Sequence, residues 1–223
     1  MERLLRDAID GIDVYKQNHV RIRADGRTVH IDPFMVGTEI KDADYILITH
    51  DHYDHFSVRD IAKTAKESTV LVVPEAIKKK AEAAEGLVER IVTVTPGNVY
   101  DIGGLSLETV PAYNIGKPFH PKGAGWVGYI LNLGGARIYI AGDTDATKEA
   151  EAVTCDIALV PIGGIYTMNP KQAADLVNTI RPGIAVPVHY GEIVGREKDG
   201  VKFENAVGKD IQVVFKIPFG KPV

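Results

Sequence analysis

The feature that most restricts this chain is a block of six residues, His50-Asp51-His52-Tyr53-Asp54-His55, set directly behind the apolar run DYILIT. Three imidazoles and two carboxylates crowd one loop at the C-terminal end of a segment of strand length. Such crowding behind a buried strand is costly unless the polar groups are bound by something. Strand ends of this sense are also where α/β folds place their sites. Alternation sets His50 and His52 on one side of an extended turn, with Asp54 and His55 turning back towards a second position. Donors of imidazole and carboxylate type suit zinc, manganese or iron. The plain alternative, a chance cluster of surface histidines, fits poorly with the buried strand ahead of it.

Two more potential ligands follow the same logic. Asp143 comes after the strand-like RIYIAG, in AGDTD, and His189 comes after GIAVPV, in VPVHYG. An isolated Asp after a strand is usually a cap or turn residue. Here three apolar strands each deliver a metal-compatible residue just past their C-terminal ends, and in a sheet such ends meet.

The order of elements fits that picture. RIRADGRTVHI reads as a hairpin turning at Asp25-Gly26. SVRDIAKTAKES reads as a helix capped by Ser57. TVLVVP is a strand ended by Pro74, and EAIKKKAEAAEG is a helix closed by Gly86. A β-rich middle, with turns at Pro96-Gly97, Gly103-Gly104 and Gly134-Gly135, leads into a second alternating stretch. That stretch predicts helices in DATKEAEAVT, in NPKQAADLVNTIRP (Asn169 as cap, Pro170 in the first turn) and in KFENAV, with QVVFKI as a closing strand. A β-rich half followed by αβ alternation, twice over, predicts an α/β protein: a four-layer αββα sandwich of two mixed sheets, with residues 1–223 as a single domain.

Composition narrows the function classes. Of 223 residues 45% are hydrophobic, and 26 basic residues face 30 acidic ones. Lys78, Lys79 and Lys80 are the densest basic run and read as a solvated helix face, so no nucleic-acid partner is expected. No apolar run approaches the roughly 20 residues of a membrane helix, and MERLLRDAIDGIDVYK lacks a signal-peptide core; no membrane partner and a cytoplasmic location are expected. Cys155 is the single cysteine, which excludes an intrachain disulfide and a thiolate cluster; in TCDIALVPI it reads as a buried structural thiol. No nucleophile-elbow arrangement competes with the His/Asp cluster. Gly163-Gly164-Ile165-Tyr166-Thr167 lacks phosphate-loop spacing and reads as a connection from which Tyr166 could line a pocket.

With HxHxDH at 50–55, GDTD at 142–145, PVHYG at 187–191 and IDPF at 31–34, the chain resembles the metallo-β-lactamase superfamily, from about residue 11 to 216. It is most similar to the small branch that includes ascorbate-6-phosphate-lactonase-like proteins. The resemblance implies two divalent metal ions, zinc first, with manganese or iron as alternatives. His50 and His52 would hold one ion with a third His; Asp54, His55 and His189 would hold the other; Asp143 would bridge both. The chain departs from the common pattern after LSLETVPA, where Tyr113-Asn114 stands in place of a His. His120, six residues beyond Asn114 in IGKPFHPKGAGW, is the natural substitute, with Asn114 or an open position as alternatives. His30 in TVHID reads as a satisfied strand residue. His19 is either near the site or an ordinary core or surface residue. Asp32 either holds a ligating imidazole or forms the turn before Pro33.

Two divalent ions outweigh two carboxylates and a hydroxide, leaving net positive charge for an anionic ligand or a developing oxyanion. The implied reaction is attack by a metal-bound hydroxide, with Asp54 as the catalytic residue that orients it. The expected substrate is a small molecule: an anionic ester or lactone, or a phosphodiester. The alternatives are an RNA-processing nuclease and a non-catalytic metal-binding or sensing protein. A homo-oligomer is compatible with all of these.

Overall fold

The computed structural model describes residues 2–219; residue 1 and residues 220–223, which the single-domain expectation includes, lie outside the described residues. The chain opens with a helix, α1 (Glu2–Asp10), and then lays down six strands: β1 (Ile12–Val14), β2 (Val20–Ala24), β3 (Arg27–Ile31), β4 (Ala43–Leu47), β5 (Ala65–Pro74) and β6 (Arg90–Val94). They pair in sequence order, antiparallel through β3 and parallel from β3 to β6. Between β4 and β5 runs α2 (Val58–Thr64), and between β5 and β6 the single turn α3 (Lys78–Ala81).

The second sheet repeats the plan. β7 (Val99–Ile102), β8 (Leu105–Pro111), β9 (Val127–Leu133) and β10 (Ala136–Ile140) form an antiparallel meander. β11 (Ile157–Pro161), β12 (Ile184–Val188) and β13 (Gln212–Val213) then add in parallel, joined by α4 (Lys148–Glu151), α5 (Pro170–Ile180) and α6 (Asp199–Ala206). Both sheets are mixed, as the sequence predicts.

Layering follows from the period-two alternation of strands. On β4, Tyr45 and Leu47 face the core shared between the sheets, while Ile46, with Ile48 just past the strand, faces a second core with Phe56 and Ile61. On β5, Val70 and Val72 take the first side and Leu71 and Val73 the second. Strands buried on both faces read as continuous apolar runs. Ala173, Ala174, Leu176 and Val177 of α5 cover the outer face of the second sheet, completing the αββα order. Among the described residues no helix is long and apolar enough to cross a membrane.

Local signals hold where the chemistry is local. Asp25 and Gly26 both adopt positive φ (53° and 71°), as a tight hairpin turn requires. Asn169 and Gln172 form a full capping box ahead of Pro170. Ser57 and Thr147 each accept a backbone N–H at a helix start.

Four expectations need correction. The helix from Ser57 stops at Thr64, because Ala65 pairs with Ala43 and begins β5, with the Thr69 hydroxyl donating to the Ala43 carbonyl at 2.5 Å. EAIKKKAEAAEG is one α-turn between two 3-10 turns, Glu75–Ile77 and Glu82–Ala84. That segment buries only Ile77, Ala81 and Ala84, too narrow an apolar stripe to stabilise a regular helix. The helix in DATKEAEAVT shrinks to α4, and QVVFKI pairs only through Gln212 and Val213. Lastly, α1 was not read from the sequence. Cys155 is half-buried against the core, and burial pushes its thiol up to about 12, as befits a structural thiol.

Candidate metal centre

The site begins with Asp32, which follows β3 at φ 45° and is fully buried. Its carboxylate accepts from the Thr49 amide (2.8 Å), the Thr49 hydroxyl (2.6 Å), the Asn18 amide (2.7 Å) and His55 Nδ1 (2.7 Å). A carboxylate can only accept, so His55 carries a proton on Nδ1 and turns Nε2 to the site. The block itself is closed by a turn in which the His55 and Phe56 amides donate to the His52 carbonyl.

The other ligand candidates arrive from the second sheet. Gly142 precedes Asp143 at φ 64°, where a Cβ would press on Thr49 at 3.2 Å. Only glycine fits that approach without strain, which explains the G of GDTD. His189 follows β12, and its amide donates to the Gln17 carbonyl at 2.9 Å. His120 returns to the site because Asn114 closes the loop, its amide donating to the His120 carbonyl at 2.8 Å.

All seven sequence candidates converge. His50, His52 and His120 form one group; His50, His55 and Asp143 form another; Asp54, His55 and His189 form a third; donor atoms in each lie within 4.8 Å of one another. His50 Nε2 stands 3.1 Å from His52 Nδ1, and His55 Nε2 stands 3.2 Å from His189 Nε2. Asp143 Oδ1 lies 3.4 Å from His55 Nε2 and 3.3 Å from His189 Nε2, while its Oδ2 lies 3.3 Å from His120 Nε2. Asp54 Oδ2 lies 3.4 Å from His189 Nε2 and 3.6 Å from His55 Nε2.

These spacings fit a metal. Tetrahedral zinc with bonds of about 2.0–2.1 Å to nitrogen sets its donors roughly 3.3 Å apart. His120 Nε2 and Asp143 Oδ1 are moreover buried with no hydrogen-bond partner. With Nδ1 engaged by Asn114 Oδ1, a neutral His120 presents a lone pair at Nε2, and a cation satisfies that lone pair and the Asp143 oxygen together. The residues present therefore fit divalent ions.

Electrostatics agree. Burial pushes His50 well below the ordinary imidazole range, and burial with neighbouring imidazoles lowers His52, so both keep free lone pairs. His55 behaves oppositely: burial disfavours its charge, but Asp143, Asp32 and Asp54 raise it to about 9. The same surroundings hold Asp54 at about 2, the opposing effect of burial being overcome by the His189 hydrogen bond and the charge of His55. Burial also opposes ionisation of Asp143, yet His189 and His55 keep it well below the usual carboxylate range. Buried carboxylates that hold a proton on a histidine are groups a cation can serve instead.

Residues around the cluster complete it, and for Gln17 and Trp126 no sequence signal marked the role. Gln17, at φ 52° and fully buried, donates from Nε2 to Asp54 Oδ2 at 3.4 Å. Asn114 Oδ1 meets His120 Nδ1 at 3.0 Å, so Asn114 orients His120. Trp126 packs against the rings of His50, His52 and His120 at 4.9–5.3 Å. His19 is a core residue: its Nε2 meets His30 Nδ1 at 3.1 Å, and His30 Nε2 meets Asp42 at 2.8 Å. Beside the cluster lies a cavity of about 270 Å³, which Tyr166 does line.

Two mixed sheets covered by helices, with a His/Asp cluster that could hold metal where their strand ends meet, define the class: an αββα protein with a candidate metal site. The chain belongs to the family whose model is described as the beta-lactamase superfamily domain, which matches residues 11–189. It is 32% identical over 216 residues to a metal-dependent hydrolase of Methanopyrus kandleri, covering 88% of this chain and 92% of that one. A metal-dependent hydrolase of Thermus thermophilus is 35% identical over 191 residues, 80% of this chain and 83% of the relative. Among solved structures, a protein of Parabacteroides distasonis, named with the metal-dependent hydrolases, superposes with a TM-score of 0.80 at 31% identity, covering 92% of this chain and 91% of its own. These names identify no substrate and do not extend to the lactonase-like branch.

Proposed function

We infer that this metal-dependent hydrolase of the metallo-β-lactamase superfamily cleaves a small ester, lactone or phosphodiester at the cluster of His50, His52, Asp54, His55, His120, Asp143 and His189, loaded with two divalent ions, zinc first among them. The observation that carries the reading is Asp143, whose Oδ1 faces His55 and His189 while its Oδ2 faces His120. One carboxylate divided between two imidazole groups supports two metal positions.

Divalent ions in such a site supply Lewis acidity towards a carbonyl or phosphoryl oxygen and bring the pKa of water down to about 7. The chain's residues do the rest. Asp54, held ionised, lines the cavity and can orient water by accepting a hydrogen bond from it. Gln17 steadies Asp54 through its amide. Asp32 fixes the tautomer of His55, and Asn114 holds the ring of His120. Burial of His50, His55, His120, Asp143 and His189 keeps bulk water from competing for these groups.

The test is metal analysis with anomalous scattering, followed by a panel of lactones, carboxylic esters and phosphodiesters. Two ions per chain and metal-dependent turnover of one class support the reading. Well under one ion after reconstitution, or full turnover in chelator, would overturn it.

A further inference from the structure

The cavity beside the cluster is lined by two chemically unlike sets of residues. One is made of His52, Asp54, His120, Asp143 and His189; the other is made of Tyr53, Phe119, Tyr166, Ile193 and Val194. The carbon-rich wall comes from four separate loops, so no local sequence pattern produced it. Three of its five members are exposed where apolar residues are usually covered: Tyr53 is 66% exposed, Ile193 43% and Phe119 39%, while Tyr166 is half-buried and Val194 buried. Phe119 and Tyr166 stand edge to face, ring centres 4.7 Å apart, which gives this wall a set shape.

Charge points the same way. No lysine or arginine is among the residues lining the cavity. Lys117, on the same loop as Phe119, is occupied elsewhere: its ammonium pairs with Asp145 and donates to the Thr167 carbonyl at 2.8 Å. It thereby ties the Phe119 loop to the Tyr166 loop and offers nothing to a ligand. Lys16 is likewise paired with Glu192. An anionic substituent away from the reacting centre would meet no counter-charge among the lining residues, only the neutral hydroxyls of Tyr53 and Tyr166 beside apolar side chains, and desolvating it there is unfavourable. Positive charge for a developing oxyanion would come from ions held by the His and Asp residues of the lining.

We propose that this wall is the substrate-selecting surface, and that the substrate is a compact ester or lactone whose non-reacting part is uncharged and apolar, of alkyl or aryl type. The proposal rests on the hydrolase reading above and specifies its substrate class. About 270 Å³ is at or just below the small end of ligand pockets, roughly 300–1,000 Å³, so the apolar group is on the scale of a six-carbon chain or a single ring. Ester cleavage here is simple hydrolysis: water adds to the carbonyl carbon, the C–O bond to the leaving alcohol breaks, and the alcohol takes up a proton.

The matched probes are para-nitrophenyl hexanoate and the para-nitrophenyl monoester of glutarate, which share a leaving group and differ in the charge at the acyl end. With metal-loaded enzyme, kcat/KM for the hexanoyl ester should exceed that for the glutaryl ester by about tenfold or more, since an unpaired carboxylate pays a desolvation cost against apolar side chains that an alkyl end does not. Phe119→Ala and, away from the ligands, Ile193→Ala should collapse this ratio, with metal content measured on each variant. Equal rates, or preference for the glutaryl ester, would overturn the proposal. Calorimetric binding of hexanoate against glutarate reads the wall without turnover. Preference for hexanoate that Ile193→Ala removes supports the proposal even if neither ester is cleaved, and no preference overturns it. Absence of turnover with both metals bound counts against the hydrolysis of esters alone, so the two failures are distinguishable.

Discussion

Asn114 and His120 hold each other at two points: the Asn114 amide donates to the His120 carbonyl at 2.8 Å, and Asn114 Oδ1 meets His120 Nδ1 at 3.0 Å. The five intervening residues form a loop whose closure aims His120 Nε2 at Asp143. Asn114→Ala should therefore weaken metal binding beside His50 and His52 by roughly 10–100-fold, the usual cost of losing such an orienting partner. His120→Ala should cost more. Competition titration with a chromophoric chelator measures both; equal affinity in wild type and Asn114→Ala would show that the loop positions His120 unaided.

Asp143→Ala should lower occupancy at both metal positions and abolish hydrolysis, because the residue faces both groups of imidazoles. Elemental analysis after reconstitution reads the first effect and turnover the second. Two ions retained with full activity would end the bridging assignment.

Gly163→Ala should damage the site from a distance. A Cβ at this position would lie 2.4 Å from the His189 carbonyl oxygen and 2.5 Å from Val194, so the chain carrying His189 must move. Overpacking of this kind costs about 1–3 kcal/mol. A lower midpoint in thermal unfolding, together with weakened metal binding, is the expected outcome; unchanged values for both would show that the two segments shift freely.

Acid should destabilise the fold through His19 and His30. Burial lowers both, His19 well below the ordinary imidazole range and His30 despite its bond to Asp42. They stay neutral in the native state, while in the unfolded chain they take up protons below about 6.5. The unfolded state then binds more protons, so this contribution to stability is present above about 6.5 and is lost as pH falls below it. Urea unfolding at pH 7.5 and 5.5 should show a larger drop for the wild type than for His19→Gln/His30→Gln. Parallel drops would remove the pair as the cause.

Much of the site could be read along the chain, for a physical reason. The strands before His50, Asp143 and His189 are apolar runs of strand length, and placing a ligand just past such a run is a matter of neighbouring residues. Caps such as Ser57 and Asn169, and the turn at Asp25-Gly26, are equally local. The repeat of a β-rich half followed by alternation was enough for two mixed sheets in an αββα order.

Tertiary structure decided what depends on residues far apart. Ala65 leaves its helix because Ala43 pairs with it, and the helix expected over 75–86 breaks up because only three of its residues find a core. Asn114 and His120 looked like rivals for one position; the closed loop makes one the support of the other. Gln17 meets Asp54 across 37 positions, and His55 meets His189 across 134. Tyr53 lies within the His/Asp block and Tyr166 within the loop after Gly164, but that they join Phe119 and Ile193 around one cavity follows only from four loops ending at the same edge. Chemistry that sits beside a strand end is written in the order of residues, whereas a surface assembled from several loops exists only once the sheets have packed.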